Sequence, residues 1–426
     1  MSNNFIPPNL HLPTMWLADA VTPTLLKVAY NIEDVKIEPA DRKMLRTLRD
    51  RRLIYFSNHP TQSEPPVAWT IANAMGARFY SMATRRAFDF GFGLVGKVFQ
   101  ATGGFSVIPG IADRESMSMA RKVLTEPAGK LSLYPEGEPM SSENDNLMPF
   151  QAGIVKLGLS AMDDARKIDP EADITILPAF IKYVIKSPQD VIKADLEKSI
   201  SRIENKLGVN PGERNLLRRF LMVGRVITEQ AEAQYNLPVS GDMDWDFRVG
   251  RLRHAMLDGI AGLLQLARYD KSADAIMKLR FLTAVVELKE LNHPQCPVPE
   301  TVSKADLALA NQEVIRAYDF IVMRREYLVA YPSAERFYEW LARFESLVLG
   351  KTPRMLGGEP SHLPRTAFVN FAQPFGLSEY YEEYKRDRKV TLQVILDRLY
   401  ADMKRMLDAN LTRSRPLVEP YDVGET

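Results

Sequence analysis

The chain has 426 residues, with 55 Lys and Arg against 54 Asp and Glu and a formal net charge of +1 at pH 7. This length allows two or three domains with large cores, and the balanced charge excludes the overall basic field of nucleic-acid-binding proteins. The single cysteine, Cys296, excludes a disulfide framework and indicates a reducing compartment. Because no apolar run is long enough, we expect no membrane-spanning helix, and the N-terminus lacks the pattern of a secretory signal.

The first 45 residues predict an amphipathic helical segment. Two short apolar stretches, residues 15–17 and 25–30, flank Pro23 and carry the aromatic residues Trp16 and Tyr30. Such pieces either lie in a membrane surface or cover a sheet as ordinary packing helices. The sequence leaves both alternatives open.

Residues 46–190 predict an α/β domain, because short apolar strands alternate with helical patterns. The predicted strands cover residues 53–56, 78–82, 105–108, 131–134 and 174–184, and the predicted helices cover 66–75, 88–102, 114–125 and 151–162. We therefore expect a mixed central sheet flanked by helices.

A histidine and a glutamate follow the first of these strands. His59 stands where the strand ends, next to Asn58, and Glu64 falls about one and a half turns into the next helix. A carboxylate within reach of an imidazole can orient the ring as a general base. The same spacing also suits a buried structural histidine with a solvated acid, so spacing alone does not decide between them.

A Pro-Glu-Gly turn follows the fourth predicted strand, after Tyr134. The turn, Pro135-Glu136-Gly137, leaves the Glu136 carboxylate at the sheet edge. In open α/β sheets the carboxyl ends of the strands are where ligands bind. An ordinary surface turn is the alternative.

In this order and spacing the chain resembles the glycerolipid acyltransferase superfamily, of the lysophosphatidate and glycerol-3-phosphate acyltransferase type. That family carries Asn-His-x-x-x-x-Asp, a Gly-x-x-Phe-x-x-Arg-like block, Phe-Pro-Glu-Gly-Thr-Arg-Ser, and then an apolar strand with Pro. The matching residues are Asn58, His59 and Glu64 for the first block, Gly104 and Phe105 for the second, Tyr134, Pro135, Glu136 and Gly137 for the third, and Leu177 and Pro178 for the fourth. Four ordered blocks are a far more specific signal than any one alone.

The resemblance implies transfer of a fatty acyl group from a thioester, either acyl-CoA or acyl-carrier protein, to a lipid or lysolipid hydroxyl. His59 would be the general base and Glu64 its orienting acid. Asn58, Gly104, Phe105, Pro135, Glu136 and Gly137 would bind substrate, with Glu136 positioning the acceptor. Since the acceptor is itself the nucleophile, no enzyme nucleophile, metal or cofactor beyond the thioester co-substrate is expected.

The chain departs from the family at residues that could grip a phosphate. Glu64 replaces an aspartate, Ile108-Pro109-Gly110 stands where the family has Arg, and Glu138-Pro139-Met140 stands where it has Thr-Arg-Ser. Losing guanidinium groups argues against a phosphate-bearing acceptor. Arg114, or Arg85 and Arg86, could substitute, although each fits a solvated helix residue as well.

The C-terminal part predicts that the catalytic domain is split. Residues 361–412 predict a returning strand and closing helix, residues 191–360 a helical insertion, and residues 413–426 a tail. Long insertions are tolerated because closure entropy grows slowly with loop length. In the insertion, Arg214, Arg218 and Arg225 share one helix face opposite Leu216, Phe220, Val223 and Ile227. This face suits either an anionic lipid surface or plain solvent exposure.

Two other functions compete with acyl transfer. A catalytically idle protein of the same fold would bind lipid or a membrane, and a hydrolase would use His59 to activate water on a thioester. The expected location is the cytoplasm, either free or peripheral on the cytoplasmic face of a membrane.

Overall fold

The computed structural model describes residues 5–137, 143–239, 243–351 and 361–419. It divides into two units: residues 1–186 with 362–413, and residues 187–361 with 414–426. Within the described residues, no helix is long and apolar enough to cross a membrane.

The first unit is built on a mixed eight-stranded sheet flanked by helices, as expected. Its strands are β1 Ile32–Ile37, β2 Leu53–Ser57, β3 Tyr80–Thr84, β4 Gly104–Val107, β5 Lys130–Leu133, β6 Thr175–Ile185, β7 Arg365–Phe371 and β8 Phe375–Gly376. The order is β1-β7-β6-β2-β5-β3-β4, with β8 beside β6. Strands β6, β2, β5, β3 and β4 are parallel, whereas β7 runs antiparallel to β6. The carboxyl ends of the five parallel strands therefore share one edge.

Helices cover both faces of this sheet. They are α1 Leu12–Tyr30, α2 Pro39–Thr47, α3 Glu64–Met75, α4 Leu94–Ala101, α5 Arg114–Thr125 and α6 Ala152–Arg166, followed after the second unit by α14 Tyr381–Arg386 and α15 Arg388–Asn410. Short 3₁₀ turns cover Arg85–Asp89, Leu377–Tyr380 and Leu411–Arg413. In β2 the period of two sends Ile54 and Phe56 into the core under α5, α6 and α15, while Leu53 and Tyr55 pack under α2 and α3.

The second unit is helical in its described residues. Its helices are α7 Gln189–Leu207, α8 Leu216–Gln234, α9 Trp245–Leu263, α10 Ala275–Glu290, α11 Lys304–Val322, α12 Arg325–Ala330 and α13 Ala334–Leu349. In α8 the apolar face, with Phe220 and Val223, is buried. The three arginines of the predicted basic face, Arg214, Arg218 and Arg225, are exposed, although Arg214 lies before the helix begins, and Arg225 pairs with Glu229 at 2.8 Å.

Three parts of the chain differ from the sequence-based expectation: the N-terminal segment, the closing helix and the residues after 413. The segment before residue 45 is one helix that continues through Pro23, and it is followed by strand β1. Packing of Met15 and Leu26 on either side of the proline holds the two halves together. Strand β1 was missed because its alternation of apolar and charged residues is short, and it forms only by pairing with β7, more than 300 residues away.

The two C-terminal differences also have local causes. The closing helix is divided at Asp387, whose extended backbone and side chain, accepting from Lys389 N and Val390 N, begin α15 afresh. Beyond residue 413 the chain returns to the second unit, where Leu417 N donates to Pro332 O at 2.8 Å.

Candidate active site

The candidate site lies where β2 and β5 end side by side. These strands are parallel neighbours with Phe56 opposite Leu133. His59 follows two residues after β2, and Glu136 follows three residues after β5. Adjacent parallel strands release their following residues at the same edge, so the topology brings these two distant segments together.

His59 and Glu64 form a close hydrogen-bonded pair. The ring Nδ1 lies 2.7 Å from Glu64 Oε2. Because a carboxylate oxygen can only accept, Nδ1 carries the hydrogen and Nε2 keeps its lone pair. The His59 side chain retains 12% of its surface exposed, whereas the Glu64 side chain retains none. A basic nitrogen is thus held on a ring that solvent can reach.

Glu64 is fixed by donors on several sides. Its Oε2 also accepts from Thr61 N at 3.0 Å, and its Oε1 accepts from Thr61 Oγ1 at 2.8 Å and from the Tyr183 hydroxyl. As the first residue of α3, it also lies at the positive end of the helix dipole. These contacts stabilise the ionised carboxylate in a buried position, which a buried charge requires. Burial, followed by the Glu64 charge, raises the pKa of Tyr183 well above its ordinary value, so this hydroxyl stays protonated as a donor.

Tyr134 supports the imidazole from one face. The two rings stack with centroids 4.1 Å apart and planes at 26°. Burial raises the pKa of Tyr134 well above its ordinary value, so the phenol is neutral over the physiological range. With Glu64 bonded at the ring edge and Tyr134 against the ring face, the imidazole has little freedom to rotate.

Glu136 has a different position from the one expected of a substrate-binding acid. It is fully buried, its Oε1 accepts from His59 N at 3.0 Å, and its Oε2 accepts from Met148 N at 2.8 Å. Burial raises the pKa of Glu136 to about 7. The Glu136 side chain therefore links the backbone of His59 to the segment before α6. In an ordinary surface turn the Glu136 carboxylate would instead lie in solvent.

Asn58 is likewise committed within the protein. Its carboxamide donates to Ile181 O at 3.0 Å and accepts from Ile181 N at 2.8 Å. Asn144 repeats this pattern one pair further along β6, donating to Tyr183 O at 2.7 Å and accepting from Tyr183 N at 2.9 Å. Beyond the end of β2, the carboxamides of Asn58 and Asn144 make the hydrogen bonds to the β6 backbone that a neighbouring strand would otherwise make. Both ends of the Asn58 carboxamide are therefore hydrogen-bonded to the backbone of β6.

The remaining expected binding residues divide into two groups. Pro135 and Gly137 lie in the turn beside His59, with Pro135 O accepting from Gln151 N at 2.8 Å. Gly137 has a φ of +94°, a backbone conformation that residues with a Cβ rarely adopt, so glycine is favoured there. Gly104 and Phe105 lie in β4, separated from β2 by β5 and β3. Gly104 accommodates the Phe99 ring and Phe105 is fully buried in the core, so the structure does not bring these two to His59.

The possible phosphate-binding arginines follow strands whose carboxyl ends lie at this edge. Arg85 and Arg86 follow β3 directly, and Arg85 pairs with Asp89 at 2.8 Å. Arg114 is exposed at the start of α5. The segment 138–140, where the family has Thr-Arg-Ser, lies outside the described residues.

A polar depression of about 380 Å³ lies elsewhere in this unit. It is lined by Arg52, Ser118, Arg121, Lys122, Thr125, Glu126, Pro127, Asp164 and Ile168. Arg52 precedes β2 and Glu126 precedes β5, so this depression is at the amino edge of the sheet. Its arginines are paired, Arg52 with Asp169 and Arg121 with Asp164. The depression is therefore separate from His59.

Sequence reasoning missed several residues that build the site. Thr61 stands inside the motif and could have been proposed as a donor to Glu64, because a hydroxyl three residues before an acid at a helix start is a common bonding arrangement. Tyr183 and Asn144 carried no local signal. Tyr183 reaches Glu64 because β6 lies beside β2 and extends past its end, and Asn144 bonds the backbone of Tyr183.

The ordered motifs have a counterpart in a known family. Residues 36–182 match the family model described as Acyltransferase. This region is an acyltransferase domain of the glycerolipid acyltransferase family. The matched part of the acyltransferase domain runs from the end of β1 into β6, and so contains His59, Glu64 and Glu136. No curated protein is similar enough to the chain to count as a relative.

Proposed function

We propose that the protein transfers a fatty acyl group from a thioester, acyl-CoA or acyl-carrier protein, to a hydroxyl of a lipid or lysolipid. The observation that carries this proposal is the 2.7 Å bond between His59 Nδ1 and Glu64 Oε2 at the carboxyl edge of a domain of the acyltransferase family. Family membership supports acyl transfer in general. The His–Glu pair supplies the general base that transfer to an alcohol requires.

In the proposed step His59 Nε2 removes the acceptor's hydroxyl proton as its oxygen attacks the thioester carbonyl. An oxygen–carbon bond forms and the carbonyl carbon becomes tetrahedral. When the carbon–sulfur bond breaks, the sulfur leaves with the electron pair and takes the proton from the imidazolium. The products are an ester and a free thiol, and His59 returns to its starting form. Glu64 stabilises the imidazolium while it exists and keeps the hydrogen on Nδ1 otherwise.

The acceptor class follows from what this edge of the domain offers. Ile108, Pro109 and Gly110 provide no guanidinium where the family has Arg, and Arg85 is already paired with Asp89. An acceptor recognised through its hydroxyl and acyl chain, without dependence on a phosphate, fits these residues best.

The test is His59→Ala in the full-length protein. Thiol release from acyl-CoA and from acyl-carrier protein is measured with and without lysolipid and neutral alcohol-bearing lipids, and mass spectrometry identifies the ester. We expect acceptor-dependent release in the wild type and a loss of about 10²–10⁴-fold in the variant, the usual contribution of a general base. His254→Ala, in the second unit, is the matched control and should keep wild-type turnover.

Three outcomes would contradict the proposal in different ways. Release of thiol without any acceptor, abolished by His59→Ala, would make the protein a thioester hydrolase. Absence of release with every donor and acceptor, together with tight lipid binding, would make it a catalytically idle lipid-binding protein. Wild-type turnover by the His59→Ala variant would remove the assignment of the base.

A further inference from the structure

The Glu64 carboxylate is held by a network of hydroxyl groups, one of which comes from a distant strand. Its Oε1 accepts from Thr61 Oγ1 at 2.8 Å and from the Tyr183 hydroxyl. The Tyr183 oxygen in turn accepts from Ser63 Oγ at 3.0 Å, and Ser63 Oγ lies 2.5 Å from Thr61 Oγ1. All four side chains are buried. Hydrogen bonds in such a buried network are electrostatically stronger than the same bonds in water.

The hydrogens of this network point toward the carboxylate. Because a carboxylate oxygen can only accept, the hydroxyls of Thr61 and Tyr183 both donate to Oε1 of Glu64. The Tyr183 oxygen keeps its lone pairs, and one of them accepts the hydrogen of Ser63. Accepting a hydrogen bond polarises the Tyr183 O–H group and makes it a better donor. Ser63 therefore reinforces the bond between Tyr183 and Glu64.

Tyr183 is itself fixed by the elements around β6. On one side of the strand it lies opposite Ala367 of β7, and on the other side Asn144 bonds both its N–H and its carbonyl oxygen. The guanidinium of Arg365 lies over the Tyr183 ring, 5.1 Å from the ring centroid. With its backbone and its ring both held, Tyr183 presents its hydroxyl at a fixed position, as a residue that supports a functional group must.

A glutamate at position 64 needs this support more than the aspartate of the family motif would. Glu64 has one more rotatable bond, so its carboxylate has more orientations to lose when it binds His59. Its Oε2 bonds His59 Nδ1 at 2.7 Å while its Oε1 bonds Tyr183, so both oxygens are directed by separate partners. Tyr183 also lies one residue beyond the part of the chain that matches the family, residues 36–182. The support and the longer acid are therefore both features of this chain.

Tyr183 holds the carboxylate without cancelling its charge. Within the described residues, the hydrogen bonds to Glu64 come from the His59 imidazole, from the N–H and hydroxyl of Thr61 and from Tyr183, and none comes from Lys or Arg. A guanidinium in the place of the Tyr183 hydroxyl would add a positive charge that opposes protonation of the imidazole. A neutral hydroxyl leaves the full negative charge to the imidazolium that forms when His59 takes a proton.

We propose that Tyr183 is a positioning residue for the acyl-transfer reaction, which acts through Glu64 and keeps the hydrogen of His59 on Nδ1. The inference rests on the proposed function of His59 as the base, and one of its two tests needs no turnover. If Tyr183 were only a core residue, phenylalanine would replace it without consequence for His59, because the ring and its packing would remain. The Tyr183→Phe substitution removes the hydroxyl alone.

The first test is nitrogen NMR of the full-length protein with isotope-labelled histidines, of which the chain has five. His59→Gln identifies the His59 signals. At a pH where the imidazole is neutral we expect hydrogen on Nδ1 in the wild type, and signals displaced toward the average of the two tautomers in Tyr183→Phe. Tyr235→Phe is the matched control, because the Tyr235 hydroxyl donates to Glu313 in the second unit, and it should leave the His59 signals unchanged. Wild-type signals in Tyr183→Phe would overturn the proposal.

The second test is a double-mutant cycle on kcat. We expect Tyr183→Phe to lower kcat about tenfold with KM unchanged, because a displaced base is less effective while substrate binding is untouched. Glu64→Asp withdraws the carboxylate by one C–C bond, about 1.5 Å, so it cannot keep both of its bonds. Adding Tyr183→Phe to Glu64→Asp should then change kcat by less than about twofold.

The outcomes of the two tests separate this inference from the proposed function. Equal losses of kcat from Tyr183→Phe in the Glu64 and Glu64→Asp backgrounds would show that Tyr183 does not act through Glu64, and would overturn the inference. A wild type that turns over no thioester, together with the expected NMR result, would refute the proposed function and leave the positioning of the His59 ring by Tyr183 established.

Discussion

Two histidines in the two units of this molecule have opposite partners. In the first unit His59 Nδ1 donates to the Glu64 carboxylate at 2.7 Å. In the second unit His254 Nδ1 accepts from the buried Lys278 ammonium at 2.9 Å. Lys278 also bonds Asp258 Oδ1 at 2.8 Å, and the Tyr269 hydroxyl donates to the same oxygen at 2.9 Å.

The difference shows that the partner at Nδ1 decides what an imidazole can do. Glu64 fixes the hydrogen on Nδ1 of His59 and leaves Nε2 free to take a proton. At His254 the lone pair is on Nδ1 and is already used by Lys278. Burial, followed by the Lys278 charge, lowers the pKa of His254. Both histidines lie near acids, yet only His59 is arranged as a general base.

The largest expected effect that distinguishes the surroundings of His59 from those of His254 comes from Glu64→Gln. The amide can present its NH₂ to His59 Nδ1, which moves the ring hydrogen to Nε2 and removes the base. We expect kcat for acyl transfer to fall about 10²–10⁴-fold, as for loss of an orienting carboxylate elsewhere. Asp258→Asn, the equivalent change beside His254, should leave kcat unchanged. A fully active Glu64→Gln variant would show that tautomer control is not needed here.

A smaller effect is expected from Glu136→Gln, which weakens the anchor of the His59 backbone. One of the two N–H groups bonded by the carboxylate would face an amide NH₂, and leaving it unsatisfied costs about 1–3 kcal/mol. We expect kcat to fall roughly tenfold, because a misplaced base is less effective. Exposed Glu126→Gln is the control and should change neither kcat nor stability.

The raised pKa of Glu136 also predicts a pH dependence of stability. Since the folded pKa is about 7, against an ordinary value of 4.5, the folded protein binds more protons than the unfolded chain between these values. Proton binding by Glu136 therefore stabilises the folded protein at low pH, and this stabilisation is lost as pH rises from 4.5 to 7. Denaturant unfolding at several pH values should show that Glu136→Gln removes this decline. The same slope in both proteins would contradict the buried, protonatable carboxyl.

The smallest expected effect is that of His254 on the pH dependence of stability, and it is opposite in sign to that of Glu136. Its folded pKa is lowered, so the unfolded chain binds more protons and stability falls as pH decreases below the ordinary value of about 6.5. The charged groups around it are Lys278, Asp258, Asp274 and Arg253. His254→Gln keeps an acceptor for Lys278 without titrating, so its unfolding free energy should lose this fall with acid while turnover stays normal. An unchanged pH slope would show that His254 does not titrate between the two states.

Several parts of the site were predictable from local pattern. The strand that delivers His59 is short and apolar, and Glu64 follows five residues after His59, so both features depend on neighbours in sequence. Glu64 is the first residue of α3, and not one and a half turns into the helix as expected. The functions of Asn58 and Glu136 were not predictable in this way. Asn58 bonds a residue 123 positions away and Glu136 bonds the backbone of a residue 77 positions earlier. A polar residue beside a motif has the same sequence signature whether it meets substrate or backbone.

The order and types of the elements in residues 46–190, the His–Glu pair and the resemblance to the acyltransferase family follow from the sequence by itself. They depend on hydrophobic periodicity, turn residues and short motifs, which are local properties. Only the tertiary structure decided that β1 joins the sheet through β7, that Glu136 bonds the His59 backbone, and that Tyr183 bonds Glu64. Each of these depends on which distant segments become neighbours, and that is set by the packing of the whole sheet unit.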